Sequence, residues 1–217
     1  MNDIYFVHSS DETTSFLNIF KENFSNNFYT IESNKESVDK AILFISQIPD
    51  NAILVFLGHG HSTGLYTPET KEFQKEIFIN STNGNALFNN KKIILLSCNS
   101  NQFIGRLNSF KSIIGFGNIL SSMFEVSLEA ENLTGIYRKV EQRDIDYFNS
   151  SYCSAIITAL KLIKNNSYKF EQIPQIIEFK LNQEINKLLL AKKIENRIEI
   201  AELFYEFRNE MILIKRV

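Results

Sequence analysis

The sequence is short of several things, and each shortage narrows what the chain can be. Two cysteines, Cys98 and Cys153, in 217 residues make no disulfide framework and point to a reduced compartment. Proline occurs only as Pro49, Pro68 and Pro174, so no proline-rich linker divides the chain. Apolar runs such as Ala52–Leu57 and Ile93–Leu96 fall far below the ~20 residues that a membrane-spanning helix needs. Charge of one sign is also lacking. The 23 Lys and Arg against 25 Asp and Glu give a net charge of −2 with no basic stripe, which argues against a nucleic-acid partner. Met1-Asn2-Asp3 opens neither a basic n-region nor an apolar h-region, so no secretory leader and no membrane attachment are expected, and a cytoplasmic location follows. The pair His59-x-His61 has no carboxylate or third ligand close in sequence. Neither a metal nor any other cofactor is therefore expected.

What is present is a globular balance. Hydrophobic residues are 44% and charged residues 22%, enough to build a packed core and too apolar for a disordered chain. The length fits one large domain or a domain with an appendage. Short apolar runs alternate with helical spacing through the first half. Strands are expected at Ile4–Val7, Phe28–Ile31, Ala52–Leu57, Lys92–Ser97 and Ser112–Phe116. Between them, Phe16, Leu17, Phe20 and Phe24 place a helix over Thr13–Phe24. Val38, Ala41, Ile42 and Ile45 place another, capped by Ser37 and stopped by Pro49. This alternation predicts a mostly parallel sheet with helices on both faces, and chemistry at the carboxyl ends of its strands. Beyond Gly117 the pattern turns helical, over Ser121–Glu131, Asp146–Lys164, Gln175–Leu190 and Glu195–Arg208. Met211–Arg216 reads as an edge strand or as the last helix running on. Ile176, Ile177, Leu181, Ile185, Leu188 and Leu189 recur at helical spacing and are read as core. Tyr66–Phe88 is polar and long, with Ile77–Ile79 as a short hairpin arm. A loop of that length is commonly functional, and it is the candidate substrate loop.

Two strand ends carry the chemistry. One reads Leu57-Gly58-His59-Gly60-His61-Ser62-Thr63-Gly64 and the other Leu95-Leu96-Ser97-Cys98-Asn99-Ser100. Three of the chain's eight glycines fall in the first segment, so backbone approaches something closely there. A thiol and an imidazole at neighbouring strand ends suit a cysteine nucleophile, because the imidazole takes the thiol proton or pairs with the thiolate. The amides of Gly60 and Cys98 would hold the oxyanion of an attacked carbonyl, and a helix starting near Asn101 would add its positive end. His61 competes with His59, but the His–Gly order favours His59 and leaves His61 an exposed loop residue. Cys153 lies inside a helical pattern and reads as core. His8, ending the first strand, reads as structural or as an edge of the site. Gly115 and Gly117 are strand-end turns or clear room for a substrate backbone. Arg106, Arg138, Arg143, Glu125, Asp144 and Asp146 read as solvated surface charges.

A strand ending in Gly-His-Gly, about forty residues, then a strand ending in Ser-Cys resembles the caspase-like cysteine peptidases of clan CD. Within them the chain is most similar to the prokaryotic CHAT branch. The resemblance runs from Ile4 to about Lys164, through Ile113-Ile114-Gly115-Phe116-Gly117 and the helix near Tyr152–Ile163. It implies a three-layer α/β/α sandwich, with a caspase-like domain over residues 1–170 and a helical extension packed on it over 171–217. It implies His59 and Cys98 as the catalytic pair, and an oxyanion hole at Gly60 and Cys98. Gly117, Asn118 and Ser122 would bind substrate, Ser122 standing nearest to the acid that receives a basic P1 side chain in many CHAT proteins. The Asp that precedes the Cys in metacaspases has no counterpart, since Leu96-Ser97 stand there. The implied activity is an endopeptidase acting on a partner protein, encoded in the setting of bacterial antiviral or stress pathways by a neighbouring gene. No regulatory repeats accompany it, so a separate regulatory chain or a small-molecule activator would control it, and resting activity is expected to be low.

Two other functions are expected to leave different traces. Ile4-Tyr5-Phe6-Val7-His8-Ser9-Ser10-Asp11 resembles the opening strand and loop of a TIR domain, which would hydrolyse NAD or dock with its own kind. That reading leaves Gly-His-Gly and Ser-Cys unexplained. A non-catalytic caspase-like module would keep the fold and bind a partner through the C-terminal helices.

Overall fold

The computed structural model describes residues 3–132 and 139–216, with side chains given outside 128–132. Its centre is a six-stranded sheet of β1 (Ile4–Ser9), β2 (Phe28–Ile31), β3 (Ile53–Leu57), β7 (Lys92–Leu96), β8 (Ser112–Gly115) and β9 (Ile212–Lys215). The spatial order is β2-β1-β3-β7-β8-β9. Every pairing is parallel except β8 with β9. A second sheet, β4 (Gly60–His61), β5 (Gly64–Tyr66) and β6 (Ile77–Asn80), is antiparallel and inserted between β3 and β7.

The central strands explain why the sequence reads as it does. Ile53, Leu54, Val55, Phe56 and Leu57 are all buried, and so are Ile93, Ile94, Leu95 and Leu96. A strand covered on both faces needs no polar alternation, and each such side chain contributes roughly 1.5–3 kcal/mol by leaving water. Phe6, Val55, Ile94 and Ile114 face one core with Phe148, Tyr152 and Ile156. Val7, Leu54, Ile93 and Ile113 face the other with Val38, Ala41 and Phe103. Helices therefore cover both faces of the sheet.

The second core belongs to α2 (Lys35–Ser46), α3 (Ser81–Leu87) and α4 (Ser100–Ile104). The first belongs to α1 (Ile19–Asn23), α6 (Gln142–Lys164), α7 (Ile173–Leu190) and α8 (Arg197–Asn209). Residues of α7 and α8 join the same core as the sheet: Ile177, Leu181, Phe204 and Phe207 are buried in it. Helix α5 (Met123–Asn132) stands between β8 and α6 in the chain.

Local detail departs from the sequence reading in three places and decides between two alternatives in a fourth. The helix expected over Thr13–Phe24 is split into a 3-10 turn, Ser15–Asn18, and the short α1, because Asp11 and Thr14 hold the preceding loop in side-chain turns. Helix α2 is capped by Asn34, whose side chain accepts from Ser37 N–H at 2.8 Å. Ser37 lies inside the first turn instead, and its hydroxyl accepts from Glu32 N–H. Tyr66–Phe88 is not a continuous loop, since it contains β6 and α3. Asn80 and Asn83 close a reciprocal capping box there, which offsets the poor helix formers Ser81, Thr82 and Gly84. Met211–Arg216 holds β9, an antiparallel edge strand, rather than a longer α8. Among the described residues no helix is long and apolar enough to cross a membrane.

Candidate active site

The sheet order sets β3 beside β7 and β7 beside β8, so the segments leaving their carboxyl ends meet. Leaving β3, Gly58 turns the chain at φ +142°. A Cβ there would lie 2.8 Å from the Ser9 Cβ, so conformation and space both require glycine. His59 follows, then β4. Tyr66 N–H donates to the His59 carbonyl, which makes Gly60 and Leu65 a non-hydrogen-bonded pair and leaves the Gly60 N–H outside the ladder. Gly60 itself lies against the next strand end, since a Cβ on it would meet the Ser97 Oγ at 2.4 Å.

The His59 ring is held by β1's outgoing loop. Its Nε2 stands 3.1 Å from Asp11 Oδ2 and 2.8 Å from Thr13 Oγ1. The Thr13 hydroxyl donates to Asp11 Oδ1 at 2.7 Å, so its oxygen accepts from His59 Nε2–H. That assigns the proton of the neutral ring to Nε2 and leaves the lone pair on Nδ1. Asp11 is fixed in turn by Thr13 N–H, Thr14 N–H and Glu69 N–H. Burial alone would raise the Asp11 carboxyl, but the hydrogen bonds and the His59 ring overcome it and hold the group well below the usual carboxylate range.

Cys98 follows β7 and precedes Asn99, which adopts the left-handed conformation at φ 54° and leads into α4. Helix α4 has only five residues, so its positive end is weaker than the sequence reading supposes. Cys98 is partly buried. Its Sγ–H donates to the Ile119 carbonyl at 3.4 Å. Burial pushes the thiol up to about 12, and the negative charge of Glu125 adds to this. His59 and Cys98 line one small cavity of about 20 Å³, together with Gly58, Ser97, Ile119, Ser121 and Tyr152.

The residues after β8 close over this cavity. Gly117 is buried, and a Cβ on it would collide with the Glu210 side chain. Asn118 is exposed, with its N–H donating to Glu210 Oε2 at 2.9 Å. Ser122 caps α5: its hydroxyl accepts from Glu125 N–H, while Glu125 Oε2 accepts from Ser122 N–H. Gly115 lies against the backbone of Ser100 and Asn101. The space at both glycines is thus filled by this chain's own atoms.

The other sequence candidates scatter. His61 is exposed, and its Nδ1 lies within hydrogen-bond distance of the Ser62 and Thr63 hydroxyls. His8 is fully buried beside the site loop, donating from Nε2 to the Thr14 carbonyl, and burial holds it down to about 4. Cys153 is buried and its thiol is pushed well up by burial. Arg106, Arg143 and Asp146 are exposed, and Arg138 lies outside the described residues. Asp144 is not a solvated charge but a buried one, accepting from Asn196 Nδ2 at 2.8 Å and from Glu141 N–H. Glu125 is likewise engaged in capping. Asp11, Thr13 and Glu210 were not singled out by the sequence as site residues. Asp11 and Thr13 show only an acid and a hydroxyl just after a buried strand, which is common in loops, and Glu210 is one of several acids in and after α8. Among the described residues no group of three His, Cys, Asp or Glu side chains is placed to hold a metal ion.

Compared with protein-family models, curated proteins and solved structures, the chain matches none. Its function is therefore argued from this geometry.

Proposed function

We propose that the chain is a caspase-like cysteine endopeptidase with Cys98 as nucleophile, His59 as base and acid, and Asp11 positioning His59. One observation carries the reading: an imidazole clamped through Nε2 by a buried carboxylate lines the same cavity as a cysteine at the neighbouring strand end. A structural histidine needs no such orientation, whereas a general base does.

The steps follow from the free atoms. Nδ1 of His59 takes the thiol proton, and the Cys98 sulfur attacks a peptide carbonyl carbon. The oxyanion is held by the amides of Gly60 and Cys98. The imidazolium, held in place by Asp11, gives its proton to the leaving amine, and a thioester to Cys98 remains. Water, giving a proton to Nδ1, attacks the thioester. The Cys98 thiolate leaves and takes the proton back from Nδ1, and the product acid departs and ionises in solvent. The backbone groups of Gly117 and Asn118 are held by Asn99 and Glu210, so a substrate strand pairs there only once those bonds are released. The substrate is a protein, and the setting is a regulated bacterial defence or stress response.

The test is co-expression of the chain with the products of neighbouring genes, read by gel. Cleavage by wild type that is lost in both Cys98→Ala and His59→Ala supports the reading. Cleavage that persists in Cys98→Ala overturns it, and so does NAD turnover that is indifferent to Cys98→Ala.

A further inference from the structure

The C-terminal helix reaches the catalytic cysteine through a single loop. Residues 117–122 pass beside Cys98, with Ile119 and Ser121 lining its cavity, and a series of hydrogen bonds fixes them there. The Gly117 carbonyl accepts from Asn99 N–H at 2.8 Å. Asn118 N–H donates to Glu210 Oε2. The Ile119 carbonyl takes the Cys98 Sγ–H. Ser121 N–H and Oγ–H both donate to Glu125 Oε2, at 2.7 and 2.9 Å, and Asn149 Nδ2 donates to the Ser121 carbonyl. The cavity that His59 and Cys98 help to line holds about 20 Å³, room for about one water molecule and not for a peptide.

Glu210 is the outer clamp. It follows α8, and its carboxylate occupies the space that Gly117 leaves by having no side chain. Its own carbonyl accepts from Asn101 Nδ2 at 3.1 Å. Behind it, the Phe207 ring stacks on Tyr152 at 4.7 Å and packs on Phe116 at 5.0 Å. The loop therefore cannot lift while α8 keeps its place. Glu210 is exposed, so a partner engaging the α8–β9 turn reaches the clamp without entering the core.

We propose that residues 117–122 are an autoinhibitory plug on Cys98, held shut from α8 by Glu210, and that the site opens when this clamp is released. The proposal rests on Cys98 being the nucleophile, but it is tested without peptide cleavage, so its failure and that of the peptidase reading are separate results. The measurement is alkylation of the native protein by iodoacetamide at pH 8, with Cys98 and Cys153 resolved by peptide mass spectrometry. The guanidinium-unfolded chain sets the unhindered rate. Cys98 is expected to react at least 100-fold more slowly in the native wild type than in the unfolded chain. Glu210→Ala is expected to speed it at least tenfold, with Cys153 remaining unreactive. A native wild-type rate within threefold of the unfolded one overturns the plug. A folded Glu210→Ala protein with the wild-type rate overturns the clamp. Should Glu210→Ala not fold, hydrogen exchange of the wild type decides: protected amides at Asn118 and Ser121 support the closed loop, and exchange at unfolded-chain rates overturns it.

Discussion

His59 Nε2 stands 3.1 Å from Asp11 Oδ2, although 48 residues separate the two in sequence. The contact assigns the ring's proton and points its lone pair away from Asp11. In the proposed peptidase, Asp11→Asn should lower kcat about 100-fold or more while KM changes little, because an uncharged amide no longer balances the imidazolium. Thr13→Val should lose less, about tenfold, since it removes the hydroxyl's bonds to His59 and Asp11 but leaves the carboxylate and its backbone donors beside the ring. Steady-state cleavage of the substrate found by co-expression checks both.

The thiol of Cys98, pushed up to about 12, is almost wholly protonated at neutral pH. Its alkylation rate in the native wild type should rise about tenfold per pH unit from 7 to 9 without a plateau. A plateau below pH 9 would contradict the enclosed thiol.

His8 is fully buried, and desolvation holds it down to about 4 against an ordinary value near 6.5. Between those values the unfolded chain binds the proton and the folded chain does not. Stability is therefore full above pH 6.5 and falls as pH drops towards 4, by up to about 3 kcal/mol from this group. Asp11 acts lower on the scale. Its depressed value supplies stability that is present above about pH 4 and lost below it. Urea midpoints at pH 7 and pH 4.5 should differ more for wild type than for His8→Gln.

Gly58→Ala should destabilise the fold by about 2–4 kcal/mol. The left-handed-side φ of +142° strains any L side chain, and the new methyl group meets Ser9. Urea unfolding measures it, and a loss below 1 kcal/mol would contradict the backbone geometry.

Asn34→Ala should cost about 1 kcal/mol by removing the cap of α2. This is the position the sequence reading misplaced by three residues, onto Ser37. Both residues are good caps by type, and the choice depends on Glu32 N–H, which the tertiary chain path delivers to Ser37 Oγ.

The five strands read from apolar runs are present within one or two residues at their ends, because Ile53–Leu57 and Lys92–Leu96 are long enough, apolar enough and β-branched enough to exclude other states. The amphipathic helices were equally legible: Phe148, Tyr152, Ile156, Leu160 and Ile163 mark the buried face of α6 without any tertiary knowledge. Helix α3 was hidden, because Ser81-Thr82-Asn83-Gly84-Asn85 has little helix propensity and forms only where Asn80 caps it and Leu87 finds the core. The site was half legible. Glycines around a histidine and a cysteine after a strand are local signals. Asp11, Thr13 and Glu210 are ordinary polar residues until the fold carries them to His59 and Gly117.

Sequence alone determined the periodicities, hence the alternation of strands and helices, the parallel sheet they require and the strand ends that carry His59 and Cys98. Those are properties of neighbouring residues, expressed through unbroken apolar runs in the strands and burial at every third to fourth position in the helices. Tertiary structure decided which charges leave water, which hydrogen bonds they find, and that the loop after β8 lies on Cys98 with Glu210 across it. Such facts depend on contacts between segments far apart in the chain, such as Asn118 and Glu210, 92 residues apart. No local preference encodes a distance of that kind, and only the packing of α8 against α6 and Phe116 brings the two together.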